Sequence, residues 1–340
     1  MPPTIEERGH MRTPAVPLLA ALILLPGAAP ADEAAPTSLD SLVAAERAFS
    51  ALSVDQGMKA AFLTFLAGDA ILFRPGPVHG PTSWAARENP PGTLIWEPSY
   101  AEVSGLGDLG VSTGPWEYRA PAGSDAPTAH GHFVSMWTRA GAGPWRVALD
   151  HGISHARPES GGLGAVEFQP GPAHVRPQET SRRFGLSMGG AVFGSDGGLG
   201  VGVGRMISPA DEAYRRTAHE VHRMMSTERT LAFELRGRGA DRAYPKVAAE
   251  DLRLYRDGAL PAVGVTPAIA AAGPRPRALE FRSYGQRISG SLDLGYSYGL
   301  ALRTARGAAA PDTSGYLHVW RRDAANAWKL SLDLEVPIRR

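Results

Sequence analysis

The chain contains one long segment twice. Residues 96–114 read WEPSYAEVSGLGDLGVSTG and residues 281–299 read FRSYGQRISGSLDLGYSYG. In order, they share Ser104/Ser289, Gly105/Gly290, Asp108/Asp293, Leu109/Leu294, Gly110/Gly295, Ser112/Ser297 and Gly114/Gly299. A second block aligns Phe133–Trp137 with Tyr316–Trp320 and Trp145–Asp150 with Trp328–Asp333. A third aligns Gly68–Gly76 with Glu250–Gly258. Three blocks in the same order require a duplicated domain rather than a short-period solenoid.

Each copy reads as helices followed by strands. In the first, Leu39, Leu42, Val43 and Phe49 recur at helical spacing behind Ser38. Gly57 interrupts, Met58–Leu66 forms a second short helix, and Pro81–Arg87 a third. Ala70–Phe73 is a short apolar run of strand type. From Thr93 onward, β-rich runs alternate with Gly- and Pro-containing turns. The second copy follows the same order: a long helix over Asp211–Arg236, a short helix and strand over Val247–Tyr255, a third helix over Thr266–Ala272, and strands over Ala278–Pro337. Helices first and strands after is the α+β pattern.

The segments outside the copies carry different signals. Ala15–Leu25 is almost wholly apolar, follows Arg12 and leads to Ala29-Pro30-Ala31. This predicts a secretory signal over residues 1–31 with cleavage before Asp32, and Met11 is a second candidate start. The apolar run is short for a bilayer span, which needs about 20 residues. The expected location is therefore exported, periplasmic or extracellular, and the processed chain is not an integral membrane protein. Residues 158–207 are rich in Gly and Pro and read as a linker between domains spanning 38–157 and 208–340. The Gly run lacks the G-x-x-x-x-G-K-[ST] phosphate-loop pattern.

Composition removes several chemistries. There is no cysteine, so thiol nucleophiles, disulfides and cysteine metal sites are excluded. Thirty-five basic against 34 acidic residues leave a net charge of +1, with no field to attract nucleic acid. No G-x-S-x-G elbow or H-E-x-x-H motif is present. His219-x-x-His222 lacks an acidic third ligand. No metal and no cofactor is implied.

Glu46-Arg47-x-Phe49, the run Asp69–Gly80 (DAILFRPGPVHG), Trp96–Pro98, the GDLG turn at 107–110 and the W-x-x-x-x-D strand ending at Asp150 together resemble the nuclear-transport-factor-2-like superfamily. Within it, the likeness is to SnoaL-like and ketosteroid-isomerase-like bacterial proteins, mostly of unknown function. The resemblance implies two tandem cone folds, each with three helices packed on a curved antiparallel sheet around a pocket. It also implies that the copies pair through their sheets as an intramolecular pseudo-dimer. The isomerases' general-base Asp and oxyanion Tyr find no matching positions here, so that mechanism is not implied.

The candidate site lies in the first copy. A hairpin over Ala140–Gly143 with Arg139 opposite Pro144 places Met136 opposite Val147, Val134 opposite Leu149 and His132 opposite His151, with His130 on the same face. This apolar face is expected to point at the helices. His132 and His151 are then candidate proton carriers, with His130 orienting them or touching a ligand. The aligned residues Thr313, Gly315 and Leu334 carry no such chemistry, so the site belongs to one copy. A hydrogen-bonded strand-end pair is the structural alternative. Phe73, His79, Trp84 and Trp96 are candidate ligand-binding residues at the pocket mouth, and aromatic core is their alternative reading. By alternation, Asp150 and Asp333 point outward unless a bulge intervenes. Asp108 and Asp293 are turn residues, and Glu46 and Glu228 lie on the first helix of each copy. Three functions stay open: a binder of a small hydrophobic molecule, an acid–base enzyme on a hydrophobic substrate, and a structural or interaction module.

Overall fold

The structure is a computed structural model that describes residues 37–121, 123, 128–159, 163–174 and 209–338. The expected signal segment and most of the expected linker lie outside the described residues. Among the described residues, no helix is long and apolar enough to cross a membrane.

The first half runs α1 (Ser38–Gln56), α2 (Met58–Phe65), β1 (Leu66–Phe73), β2 (Pro77–His79), α3 (Gly80–Ala85), β3 (Thr93–Trp96), β4 (Tyr100–Val103), β5 (Leu109–Arg119), β6 (Ala129–Thr138) and β7 (Arg146–His155). A short strand, β8 (Gln169–Pro170), follows. The second half runs α4 (Pro209–Gly237), α5 (Ala240–Val247), β9 (Ala248–Arg256), β10 (Ala262–Val263), α6 (Val265–Ala271), β11 (Ala278–Ile288), β12 (Leu294–Thr304), β13 (Asp312–Arg322) and β14 (Trp328–Pro337). The sheets have matching orders, β2-β1-β7-β6-β5-β4-β8 with β3 also on β5, and β10-β9-β14-β13-β12-β11. The expectation of a purely antiparallel sheet is corrected. β1 pairs β7 in parallel, as β9 pairs β14, because the long chain between each pair lets it return in the same direction.

Local chemistry fixes the helix ends. Thr37, one residue before the expected start, caps α1: its hydroxyl accepts from the Asp40 N–H and the Asp40 carboxylate accepts from the Thr37 N–H, each at 3.1 Å. Gly57, at φ +87°, turns the chain from α1 into α2, and a Cβ there would lie 2.5 Å from the Asn89 side chain. Gly239 makes the same corner between α4 and α5 at φ +94°.

Each sheet has two apolar faces. On β6, Phe133 and Trp137 pack with the helices, whereas Val134 and Met136 pack against the other sheet. The latter core joins Val134, Met136, Leu149 and Ile153 to Leu317, Val319, Leu332 and Leu334 of the second half. The expected face assignment is therefore inverted, since Val134 and Met136 point away from the helices. A β-bulge contributes to this. Trp137 pairs Val147 but Met136 pairs Leu149, leaving Ala148 unpaired. The second half repeats it, with Trp320 on Leu330 and Val319 on Leu332.

Polar contacts lock the two halves together reciprocally. The Gly105 N–H donates to Asp293 at 2.9 Å, and the Gly290 N–H donates to Asp108 at 2.7 Å. Each aspartate also accepts from the serine of its own turn, Ser104 or Ser289, at 2.8 Å. Asp108 and Asp293 thus do turn work and bridge the halves as well. The chain after β8 adds a clasp. Buried His174 reaches Glu102 at 2.5 Å through Nε2 and Asp293 at 3.3 Å through Nδ1. Burial works against the charged ring, but Asp293 and Glu102 outweigh it and push His174 up to about 9.

Two outcomes test this junction. Asp108→Ala removes charge-assisted bonds in both turns and should lower the unfolding free energy by about 1.5–3 kcal/mol in denaturant titrations at pH 7. His174 binds its proton more tightly when folded. Its contribution is full below about pH 6.5 and is lost as pH rises through about 9. The stability gap between the native chain and His174→Gln should therefore be wide at pH 6 and closed by pH 10; a constant gap would rule out the charged clasp.

Candidate functional site

A cavity of about 430 Å³ opens in the first half. Phe49 and Phe62 from α1 and α2 face Leu94 and Trp96 from β3, Trp116 from β5 and Phe133 from β6 across it. Arg74, Ser135, Asp150 and His151 supply the polar wall, and Val336 and Pro337 reach in from the second half. The volume lies within the range of small-molecule sites, which are mostly apolar with a few placed polar groups.

The bulge at Ala148 turns Asp150 inward. Val147 stays with the helix-side core and Leu149 joins the sheet-to-sheet core, so the next side chain faces the cavity. This corrects the outward orientation expected from simple alternation. Ser135 Oγ donates to Asp150 Oδ1 at 2.9 Å. Burial pushes Asp150 up to about 6, against the opposing pull of Ser135 and the Arg74 charge.

A second carboxyl lies behind this wall. Glu46, fully buried on α1, accepts from Trp96 Nε1 at 2.6 Å, Ser112 Oγ at 2.5 Å and Trp137 Nε1 at 2.9 Å. Burial lifts it to about 7 despite these donors, and the Asp150 charge adds to the rise. Glu46 fixes the plane of Trp96, which is itself a cavity wall.

The same positions in the second half are closed on themselves. Asp333 accepts from Arg256 Nη1 at 2.9 Å and from Tyr244 Oη at 2.9 Å. Burial raises its carboxyl, and Arg256 more than reverses this, with help from His318 and Tyr244. Glu228 accepts from Ser297, from Tyr316 Oη at 3.1 Å and contacts His318 Nδ1 at 3.0 Å. Tyr244, Tyr316 and His318 stand where the first half has Phe62, Phe133 and Ser135, and all three are fully buried. A groove of about 260 Å³ alongside Glu228 and Phe281 remains.

The histidines fall differently from their expected arrangement. His132 pairs Ile153, and His151 pairs Val134. The bulge and the shifted hairpin register separate the two imidazoles that alternation had set opposite one another. His132 Nδ1 instead meets His155 Nε2 at 2.8 Å, on the face toward Tyr255 of the second half. Burial, with the nearby His155, lowers it to about 4. His130 pairs His155 along the strand. His151 does line the cavity. Its ring lies flat on Phe73, centroids 3.9 Å apart, and its Nδ1 accepts from the Gly152 N–H at 2.9 Å. Burial and the Arg74 charge hold it down to about 3, hence neutral.

Phe73 and Trp96 line the cavity as well. His79 caps α3, with Nδ1 at 2.7 Å from Thr82 Oγ1 and Nε2 at 2.8 Å from the Gly68 carbonyl. Trp84 is buried behind the cavity, stacked on Phe62 at 4.6 Å. Both are away from the cavity wall. Arg74 and Ser135 are wall residues that the sequence motifs do not mark, whereas Asp150 and Glu46 stand out as repeated positions, Asp150 expected to point outward and Glu46 to lie on the first helix. Among the described residues, no group of three or more His, Cys, Asp or Glu side chains is placed to hold a metal ion.

No family model and no curated protein matches the chain. Solved structures do. A ketosteroid isomerase-like protein from Erwinia carotovora atroseptica is 14% identical, with 36% of this chain and 98% of that chain covered and a TM-score of 0.28. An NTF2-like protein with a cystatin-like fold from Novosphingobium aromaticivorans is 14% identical over 39% of this chain and 92% of its own, at 0.32. An NTF-2 like protein of unknown function from Shewanella oneidensis is 12% identical over 34% and 98%, at 0.29. The likeness in each case is to a single domain over little more than a third of this chain.

Proposed function

We propose that the first half binds a small, largely apolar molecule in its cavity, while the second is a packed counterpart that supplies part of the wall. In this reading the chain is a tandem of two cone folds, residues 38–157 and 208–340, joined as a pseudo-dimer by the 158–207 segment and exported behind a signal over 1–31. The observation that carries it is the fate of one aligned pair. Arg256 and Asp333 close on each other at 2.9 Å, whereas Arg74 and Asp150 both line an open cavity.

A neutral fluorescent apolar probe, N-phenyl-1-naphthylamine, tests the reading. Saturable binding is expected. Transplanting the second half's filling, as Phe62→Tyr, Phe133→Tyr and Ser135→His together, should weaken it tenfold or more while circular dichroism is unchanged. A probe bound equally well by the filled variant would place it outside the cavity and favour an interaction module instead.

An acid–base enzyme is the second reading, favoured by the raised carboxyl. Asp150, pushed up to about 6, would carry the proton, and Arg74 would hold an oxygen of the substrate. His132 and His151, as the notional proton carriers, are held neutral by burial far below neutrality and suit the role less well. The ionisation state of Asp150 can be checked by linkage. An acid whose folded pKa is raised binds its proton more tightly when folded, so stability falls as pH climbs from about 4 through about 6. The stability of Asp150→Asn relative to the native chain should therefore rise over that window and level off above it. A difference that stays flat from pH 4 to 7 would mean an ordinary carboxylate.

A further inference from the structure

The two ends of the junction between the halves differ in one pair of residues. At one end, β7 of the first half meets the turn after β9 of the second. The Ser154 N–H donates to Asp257 Oδ1 at 3.0 Å, and the Gly258 N–H donates to the Ser154 carbonyl at 2.7 Å. These bonds bolt the turn after β9 to β7 at Ser154, which also lines the first-half cavity. At the other end, β14 of the second half meets the turn after β1 of the first. The aligned residues there are Pro337 for Ser154 and Pro75 for Asp257. Proline has no N–H to donate, and Pro75 has no carboxylate to accept.

The segments still lie side by side at this second end. A Cβ added to Gly76 would sit 3.8 Å from the Ile338 side chain. Pro75 and Pro337 are both exposed, and both line the cavity, which places them on its rim. Val336 lines the wall just inside.

We propose that Pro75 and Pro337 form the entrance to the first-half cavity, so that a ligand enters across the junction of the two halves at the one end where the bolt is missing. This rests on the cavity being a binding site. The duplication then has a division of labour: the second half contributes one edge of the first half's doorway. Access, and with it the size of molecule admitted, is set by residues from both copies.

The chain has no cysteine, so a single thiol reports access directly. Ser135→Cys places one on the buried cavity wall, and its modification rate by N-phenylmaleimide is the readout. In that background, Pro75→Asp with Pro337→Ser restores both partners of the bolt and should slow labelling tenfold or more. Either change alone should not. Pro337→Trp, which leaves the β1–β2 turn untouched, should slow labelling by obstructing the rim. If the double variant and Pro337→Trp both label at the parent rate, entry runs elsewhere, such as past Tyr118 and Ala129, and the proposal fails. Gated labelling without N-phenyl-1-naphthylamine binding would overturn the binding reading and leave the entrance standing. Probe binding with ungated labelling would overturn the entrance alone.

Discussion

A sheet that is apolar on both faces needs two partners, and this constraint organises the molecule. Helices cover one face of each sheet, with Phe49, Trp96 and Trp137 in the first half. The other face carries Val134, Met136 and Leu149, and among the described residues the matching face of the second sheet covers it, through Leu317, Val319 and Leu332. Burial of each such side chain stabilises by about 1.5–3 kcal/mol relative to exposure. Neither half could leave that surface in water without cost. The reciprocal bonds from Gly105 to Asp293 and from Gly290 to Asp108 then fix the relative orientation, since non-directional apolar packing alone does not specify a register.

Once that junction is fixed, divergence between the copies decides where a cavity survives. Both inherit the bulge, the inward aspartate, the arginine at the end of β1 or β9, and the buried glutamate on the first helix. In the second half, larger residues fill the space and complete a hydrogen-bonded network. There His318 lies between Glu228 at 3.0 Å and Asp333 at 3.8 Å, and Arg256 neutralises the aspartate. A buried carboxylate must be paired or take up a proton and become neutral. The second half takes the first course. Asp150 and Glu46 in the first half take the other, with raised proton affinities and open space beside Asp150.

Much of the architecture was legible in the sequence because duplication doubles every signal. Helices before strands and the paired aspartates of the SGxxD turns could be read twice; the Gly57 break was legible once, and its counterpart at Gly239 was not, so the short helix expected within Val247–Tyr255 lies at Ala240–Val247 instead. The site was not legible to the same degree, for two physical reasons. The hairpin register is one residue off the expected one, with Trp137 on Val147, and the unpaired Ala148 shifts the pairing and the faces once more beyond it. Strict alternation in the expected register set His132 and His151 opposite each other and turned Asp150 outward. The aromatic positions fared by location: Phe73 and Trp96 reach the cavity, while Trp84, one layer back, packs on Phe62. Sequence spacing fixes an element, but not which of two apolar layers a tryptophan occupies.

The comparison between copies is a stronger guide to chemistry than either copy alone. Within one fold, backbone geometry is held nearly constant, so differences at aligned positions isolate what each side chain does. Arg256 with Asp333 shows what Arg74 and Asp150 form when nothing separates them. Tyr244, Tyr316 and His318 show how larger side chains fill the corresponding space. The bulge itself is common to both, so it cannot be the functional difference; it supplies the inward carboxylate, and the neighbours decide its state. A paired carboxylate contributes structure and is poor at exchanging protons. A desolvated one beside a cavity is poised either to accept a hydrogen bond from a ligand or to take a proton from it. The asymmetry between Asp150 and Asp333 is thus the physical ground on which the binding proposal falls on the first half, whose sheet the second half covers.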